Sequence, residues 1–243
     1  MTAAELTGQQ DLPRTDDLPA VPHRLGSVLR HLVEPYVRWR YDLTVHHEHR
    51  FPLSGPVLVA PNHLGLLDGP LLGSTAPRMM HQLGKVEAFH GLQGLLLHRS
   101  GQIAVDRSQY DVRAIRRAIQ ILRTGRVLSV YPEGTRGPGD FRVVRSGVAY
   151  LAMVTGAPIL PVALLGTRLP DGDIEVYPPR GSRVDVVYGE TFTVDRVSFP
   201  RRQVDVRAVA DQIGDVLRAH VQAAVEATGH PLPGVPDQKD PDE

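Results

Sequence analysis

Cysteine is absent from this chain of 243 residues, which excludes a disulfide framework, thiolate metal sites and a cysteine nucleophile together. An excess of one charge is missing too. The 27 basic and 27 acidic residues cancel, so no whole-molecule attraction to nucleic acid is expected. Lysine is scarce: Lys85 and Lys239 are the only two, leaving 27 − 2 = 25 arginines, most of which we read as codon bias. No uninterrupted apolar run reaches membrane length. The longest charge-free stretch, "SGVAYLAMVTGAPILPVALLGT" (146–167), is broken by Gly156, Pro158 and Pro161, and so reads as a buried helix followed by a buried strand. The opening "MTAAELTGQQDLPRTDDLPA" lacks the basic start and apolar run of a secretory signal, so a cytoplasmic location is expected. There is no Walker loop, dinucleotide glycine fingerprint or "GxSxG" elbow. The three histidines of "HHEH" (46–49) lack "HExxH" spacing, and strand alternation sends neighbours to opposite sides. Neither a metal nor a cofactor is expected.

What is present falls into four parts. Residues 1–22 are polar and rich in Asp and Pro, and are expected to be a disordered tail, as is 229–243. Residues 23–42 carry Leu25, Val28, Leu29, Leu32, Val33, Tyr36 and Val37 at helical spacing, with Trp39 and Arg24, Arg30, Arg38 and Arg40 around them. Pro35 is expected to divide this segment into two short helices. It reads either as a helix lying in a membrane interface or as an ordinary surface helix packed on the core.

Over residues 43–228 strands and helices alternate. "LTVHH", "PVLVA", "MMHQLG", "QIAVDR", "VLSVY", "ILPVALL", "IEVYP" and "RVDVVYG" read as strands. "DGPLLGST", "KVEAFHGLQGLLLHRSG", "YDVRAIRRAIQILRTG", "SGVAYLAMVTG" and roughly 203–227 read as helices. The fold class expected is α/β: a single domain with a mixed, largely parallel central sheet flanked by helices on both faces.

In such sheets ligands bind at the carboxyl ends of the strands. "NHLGLLD" follows "PVLVA" there, Arg107 follows "QIAVD", and "PEGTRG" follows "VLSVY". His63 and Asp68 are candidates for a general base and the carboxylate that orients it, since imidazole takes up a proton near neutral pH. Asp68 reads equally well as a helix cap with Pro70 in the first turn. Because no enzyme nucleophile presents itself, the pair suits direct attack by a substrate hydroxyl. Glu133 and Arg136 share a loop with Gly134, Gly137 and Gly139, where backbone amides can approach a ligand closely. Arg107 and Arg145 add positive charge, which points to a phosphate-bearing substrate; the alternative is a polar turn whose arginines face solvent.

The set "NHLGLLD", "GQIAVDR", "YPEGTRG" and "APILPVAL", in this order and spacing over roughly residues 43–190, resembles the glycerolipid acyltransferases, specifically the bacterial 1-acylglycerol-3-phosphate acyltransferase branch. The resemblance implies that His63 and Asp68 form its HX4D base and orienting acid. It assigns Arg107, Glu133, Gly134, Thr135 and Arg136 to the acyl-acceptor site, with Arg136 on phosphate. It aligns Lys85 and Arg145 with basic positions, and Pro161 and Val162 with a motif to which we give a packing role. It further implies transfer of an acyl group from acyl-CoA or acyl-carrier protein to the sn-2 hydroxyl of lysophosphatidate, peripherally at the cytoplasmic side of the membrane. The partners are then a lysophospholipid, an acyl thioester and the membrane surface. Rival readings are another acceptor (glycerol 3-phosphate or a different lysolipid), a hydrolase, or a non-catalytic lipid-binding module. Gly65 stands where serine is common, Tyr131 where phenylalanine is usual, and Gly137 where serine is usual.

Overall fold

A computed structural model describes residues 12–170 and 172–235. In chain order its elements are α1 (Arg24–Arg40), β1 (Asp42–His46), β2 (Val57–Pro61), α2 (Asp68–Thr75), β3 (Met80–Lys85), α3 (Gly91–Arg99), β4 (Ile103–Val105), α4 (Val112–Arg123), β5 (Val127–Ser129), α5 (Ser146–Thr155), β6 (Ile159–Leu165), β7 (Arg183–Tyr188) and α6 (Gln203–Thr228). The strands form one sheet in the order β1-β7-β6-β2-β5-β3-β4. Every pair is parallel except β6 with β7, so the mixed, largely parallel α/β sheet expected from the sequence is the one found.

Alternation along the strands explains their continuous apolar runs. In β2, Val57 and Val59 face the core beneath α1 and α2, whereas Leu58 and Ala60 face the core beneath α4, α5 and α6. In β6, Leu160, Val162 and Leu164 point to the first core and Ile159, Ala163 and Leu165 to the second. Both faces are covered, so each residue must be apolar. Pro161 is tolerated because it lies on the β7 side of β6, where its carbonyl accepts from the Gly189 N–H at 2.9 Å. At that point β7 has already ended at Tyr188, so no ladder bond is lost.

Four expectations are corrected. Helix α1 runs through Pro35 unbroken; Pro35 and His31, whose carbonyl loses its helical partner, both lie on the exposed face, where water can solvate that carbonyl. "IEVYP" forms a turn, not a strand. Both sides of β7 are already taken by β1 and β6, and Pro178 and Pro179 cannot donate to a ladder. "KVEAFHGLQGLLLHRSG" is not one helix but a single 3₁₀ turn (Val86–Ala88) followed by α3, the break falling at Gly91, with φ 57°. The described parts of the two expected tails pack on the domain. Arg116, Gln120, Arg123 and Arg126 donate to the carbonyls of Arg14, Leu18, Pro13 and Val21, and Val21 is buried. At the other end the His230 ring meets the Asp185 carboxylate at 2.9 Å. Residues 1–11 and 236–243 lie outside the described residues.

Candidate active site

Strand β2 ends at Pro61, and the next two residues turn into the loop that begins α2. Asn62 is buried and bridges to β6 through Leu164, accepting its N–H at 2.7 Å and donating to its carbonyl at 3.0 Å. That anchor fixes the exit angle of His63. The His63 N–H donates to Glu133 Oε2 at 2.8 Å, and its carbonyl accepts from the Gly137 N–H at 2.8 Å. The imidazole lies between an acid and an aromatic face: Nδ1 is 2.7 Å from Asp68 Oδ2, and the Tyr131 ring stacks on it with centroids 4.0 Å apart and planes 26° from parallel.

Asp68 is fully buried as the first residue of α2. Its Oδ2 accepts from the Leu64 and Gly65 amides at 2.6 and 3.0 Å as well as from His63. The carboxylate therefore turns back to the loop, and no side chain caps α2. The cap that the sequence also allowed is not made, and the carboxylate lies against the His63 ring instead. A buried anion needs such donors, and the N-terminal end of a helix favours negative charge. With Nδ1 engaged by the carboxylate, Nε2 is the nitrogen left to take a proton, and the His63 side chain keeps 13% of its surface exposed.

The "EGTRG" loop sits beside this pair, held by its own backbone. Gly134 adopts φ 76°; its carbonyl accepts from Arg107 Nη1 at 2.5 Å, and a side chain there would lie 3.0 Å from Arg145 Cγ. Arg107, Arg136 and Arg145 share one region: partial burial, together with the charges of Arg136 and Arg145, holds the Arg107 guanidinium below its usual pKa. Such a cluster suits an anion with several oxygens.

Other candidates sit differently. Glu133 is buried behind the loop, with Oε2 on the His63 N–H and Oε1 on the Phe141 N–H at 3.4 Å, and so presents no free oxygen at the surface beside the arginines. Desolvation, with the charges of Asp140 and Asp68, pushes its pKa up to about 7 against the opposing pull of those two amides. Its role is thus to hold the loop. Thr135 is exposed. Lys85 ends β3 on the same edge of the sheet, its side chain exposed and with no hydrogen bond or ion pair to a described residue. Sequence reasoning passed over Arg168, 2% exposed, whose Nη1 donates to the Gly172 carbonyl at 3.0 Å and Nη2 to the Gly137 carbonyl at 3.2 Å. The signal was available: like Arg107, it follows an apolar strand at its carboxyl end. It also passed over Glu175, which pairs with Arg136 and carries no motif.

Comparison with known proteins gives four findings. The chain is 28% identical over 129 residues to the 1-acyl-sn-glycerol-3-phosphate acyltransferase of Bacillus subtilis, covering 52% of this chain and 64% of that protein. It is 33% identical over 111 residues to the lyso-ornithine lipid O-acyltransferase of Pseudomonas aeruginosa, covering 45% and 43%. It thus spans less than two thirds of the length of these curated relatives. Its fold matches the crystal structure of PlsC, the 1-acyl-sn-glycerophosphate acyltransferase from Thermotoga maritima, with a TM-score of 0.62 and 22% identity over 91% of this chain and 87% of that one. The sequence pattern of the Acyltransferase family matches residues 42–165, a span that runs from β1 to the end of β6 and contains the His63–Asp68 pair and the arginine loop. The chain belongs to the Acyltransferase family.

Proposed function

We propose that this protein moves a fatty acyl group from an acyl thioester to the sn-2 hydroxyl of lysophosphatidate. The observation that carries the reading is the His63–Asp68 pair at 2.7 Å next to the Arg107, Arg136 and Arg145 cluster. A base without an enzyme nucleophile, beside an anion site, suits an alcohol delivered by its phosphate. The acceptor oxygen attacks the thioester carbonyl while its proton passes to His63 Nε2. Asp68 stabilises the imidazolium; the C–S bond then breaks and the sulfur takes that proton, leaving ester and free thiol. General base catalysis contributes ~10²–10⁴-fold, and alignment of two bound reactants can lower the barrier by a further ~7–11 kcal/mol.

The donor is acyl-CoA or acyl-carrier protein, and the work takes place peripherally on the cytoplasmic face of the membrane. Support for the membrane comes from α1, which divides its apolar residues. Leu25, Leu29, Val33 and Val37 turn inward, whereas Val28, Leu32, Tyr36 and Trp39 are exposed. On α3, Leu92, Leu95 and Leu96 are exposed as well. Among the described residues no helix is long and apolar enough to cross a membrane. The test is product formation from labelled acyl-CoA with a panel of acceptors: lysophosphatidate, glycerol 3-phosphate and, because one relative bears that name, a lyso-ornithine lipid. Labelled phosphatidate is expected. Free fatty acid without new lipid would make the protein a hydrolase, and lipid binding without transfer would make it a binding module.

A further inference from the structure

Arg136, the guanidinium assigned to the acceptor's phosphate, already has an anion on it. Glu175 Oε1 contacts Arg136 Nη1, the glutamate side chain being 63% exposed and the arginine 25%. The segment that brings Glu175 there leaves β6 at the sheet's carboxyl edge and folds against the His63 loop. Buried Arg168 ties it down, bonding the Gly172 carbonyl of this segment and the Gly137 carbonyl of the arginine loop. It also lies against Gly65: a side chain at that position would stand 3.2 Å from the Thr167 carbonyl oxygen and 3.8 Å from that of Ile174. The missing side chain at Gly65 and the approach of Thr167, Arg168 and Ile174 are therefore one arrangement.

We propose that Glu175 is a specificity-determining residue of the acceptor site, tilting it toward headgroups that carry an ammonium group beside their anion and away from headgroups with negative charge alone. The proposal rests on the acceptor reading above and does not displace lysophosphatidate from it: that lipid still binds through the arginines, at the modest cost of separating Glu175 from Arg136. A purely anionic headgroup must separate Glu175 from Arg136 and then lie beside the stranded carboxylate. A headgroup with its own ammonium group offers Glu175 a replacement partner, so no charge is left unpaired. Arg107 and Arg145 are available to the anion in both cases. Because the pair is solvent-exposed, the effect is modest, about two- to fivefold in affinity, and it shrinks as salt is raised.

The test is equilibrium binding, without acyl donor, of short-chain lysophosphatidate and short-chain lysophosphatidylethanolamine to the wild-type protein and to Glu175→Gln, with turnover measured in parallel. The variant is expected to bind lysophosphatidate about two- to fivefold more tightly and not to gain affinity for the ethanolamine lipid. Equal shifts for both lipids, no shift, or no binding of either would overturn the role. If the affinities diverge as stated while neither lipid is acylated, the acyl-transfer reading fails and the role of Glu175 stands. If lipid is acylated and the affinity ratio does not move, Glu175 alone is misassigned.

Discussion

Asp68 Oδ2 serves the His63 ring and two backbone amides at once, so removing its charge separates catalysis from architecture. Asp68→Asn keeps an oxygen for the amides but no longer stabilises an imidazolium. Its kcat should fall by ~10²–10⁴-fold with lysolipid affinity little changed, as stopped assays and binding titrations will show. A loss confined to binding would contradict that role. Glu133 makes a different prediction. Its pKa is raised by burial to about 7 from 4.5, so its contribution to stability is fully present below pH ~4.5 and lost as pH rises through ~7. That loss amounts to about 3 kcal/mol. Denaturant titrations from pH 5 to 8 should show this component in the wild type and not in Glu133→Gln; parallel curves would mean that Glu133 is ionised throughout. His63, Asp68, Arg107 and Arg136 were legible as candidates because each follows closely on a strand's carboxyl end, and Arg145 because the motif resemblance aligns it with a basic position. The inward turn of Glu133 and the arrival of Glu175 were not legible, since the direction of a loop side chain is set by packing from distant segments.

Among the elements, α1 has the most to reveal. Helical spacing announced an apolar stripe but not that it is shared between an inner face and an outer one, because a single stripe of this width suits either role. The outer face, with Leu32 67% and Trp39 60% exposed, has no apolar counterpart among the described residues; Arg180 stacks over the Trp39 ring at 4.1 Å. The double variant Leu32→Glu, Trp39→Glu should lower the partition coefficient onto anionic liposomes, read by sedimentation, at least ~10²-fold, since each buried apolar side chain is worth about 1.5–3 kcal/mol. Undiminished sedimentation would make α1 an ordinary packed helix. The "IEVYP" error shows the converse limit: its β-propensity was real, but both sides of β7, the strand that follows it, were already taken by β1 and β6.

Across the whole molecule, alternation of strands and helices determined the sheet class and hence the edge where the site lies. The order of strands was not legible from periodicity, and neither was the clasp at the far edge. There Asp185, fully buried, joins β7 to His46 of β1 at 2.7 Å, to His230 at 2.9 Å and to Arg183 at 2.9 Å. Burial alone would raise its pKa, but hydrogen bonds from the two histidines and the Arg183 charge hold it below the usual value. Its stabilisation is therefore present above pH ~4 and lost as pH falls further. Asp185→Asn should cost about 1–3 kcal/mol at neutral pH and remove part of the acid-denaturation limb; an unchanged limb would show that the clasp contributes nothing.

The central claim is that His63 takes the proton of the acceptor hydroxyl. The most direct measurement compares wild type and His63→Ala for the initial rate of acyl transfer from acyl-CoA to lysophosphatidate, alongside lysophosphatidate affinity. Transfer should drop by at least ~10²-fold while affinity holds. Near-normal transfer by His63→Ala would contradict the account.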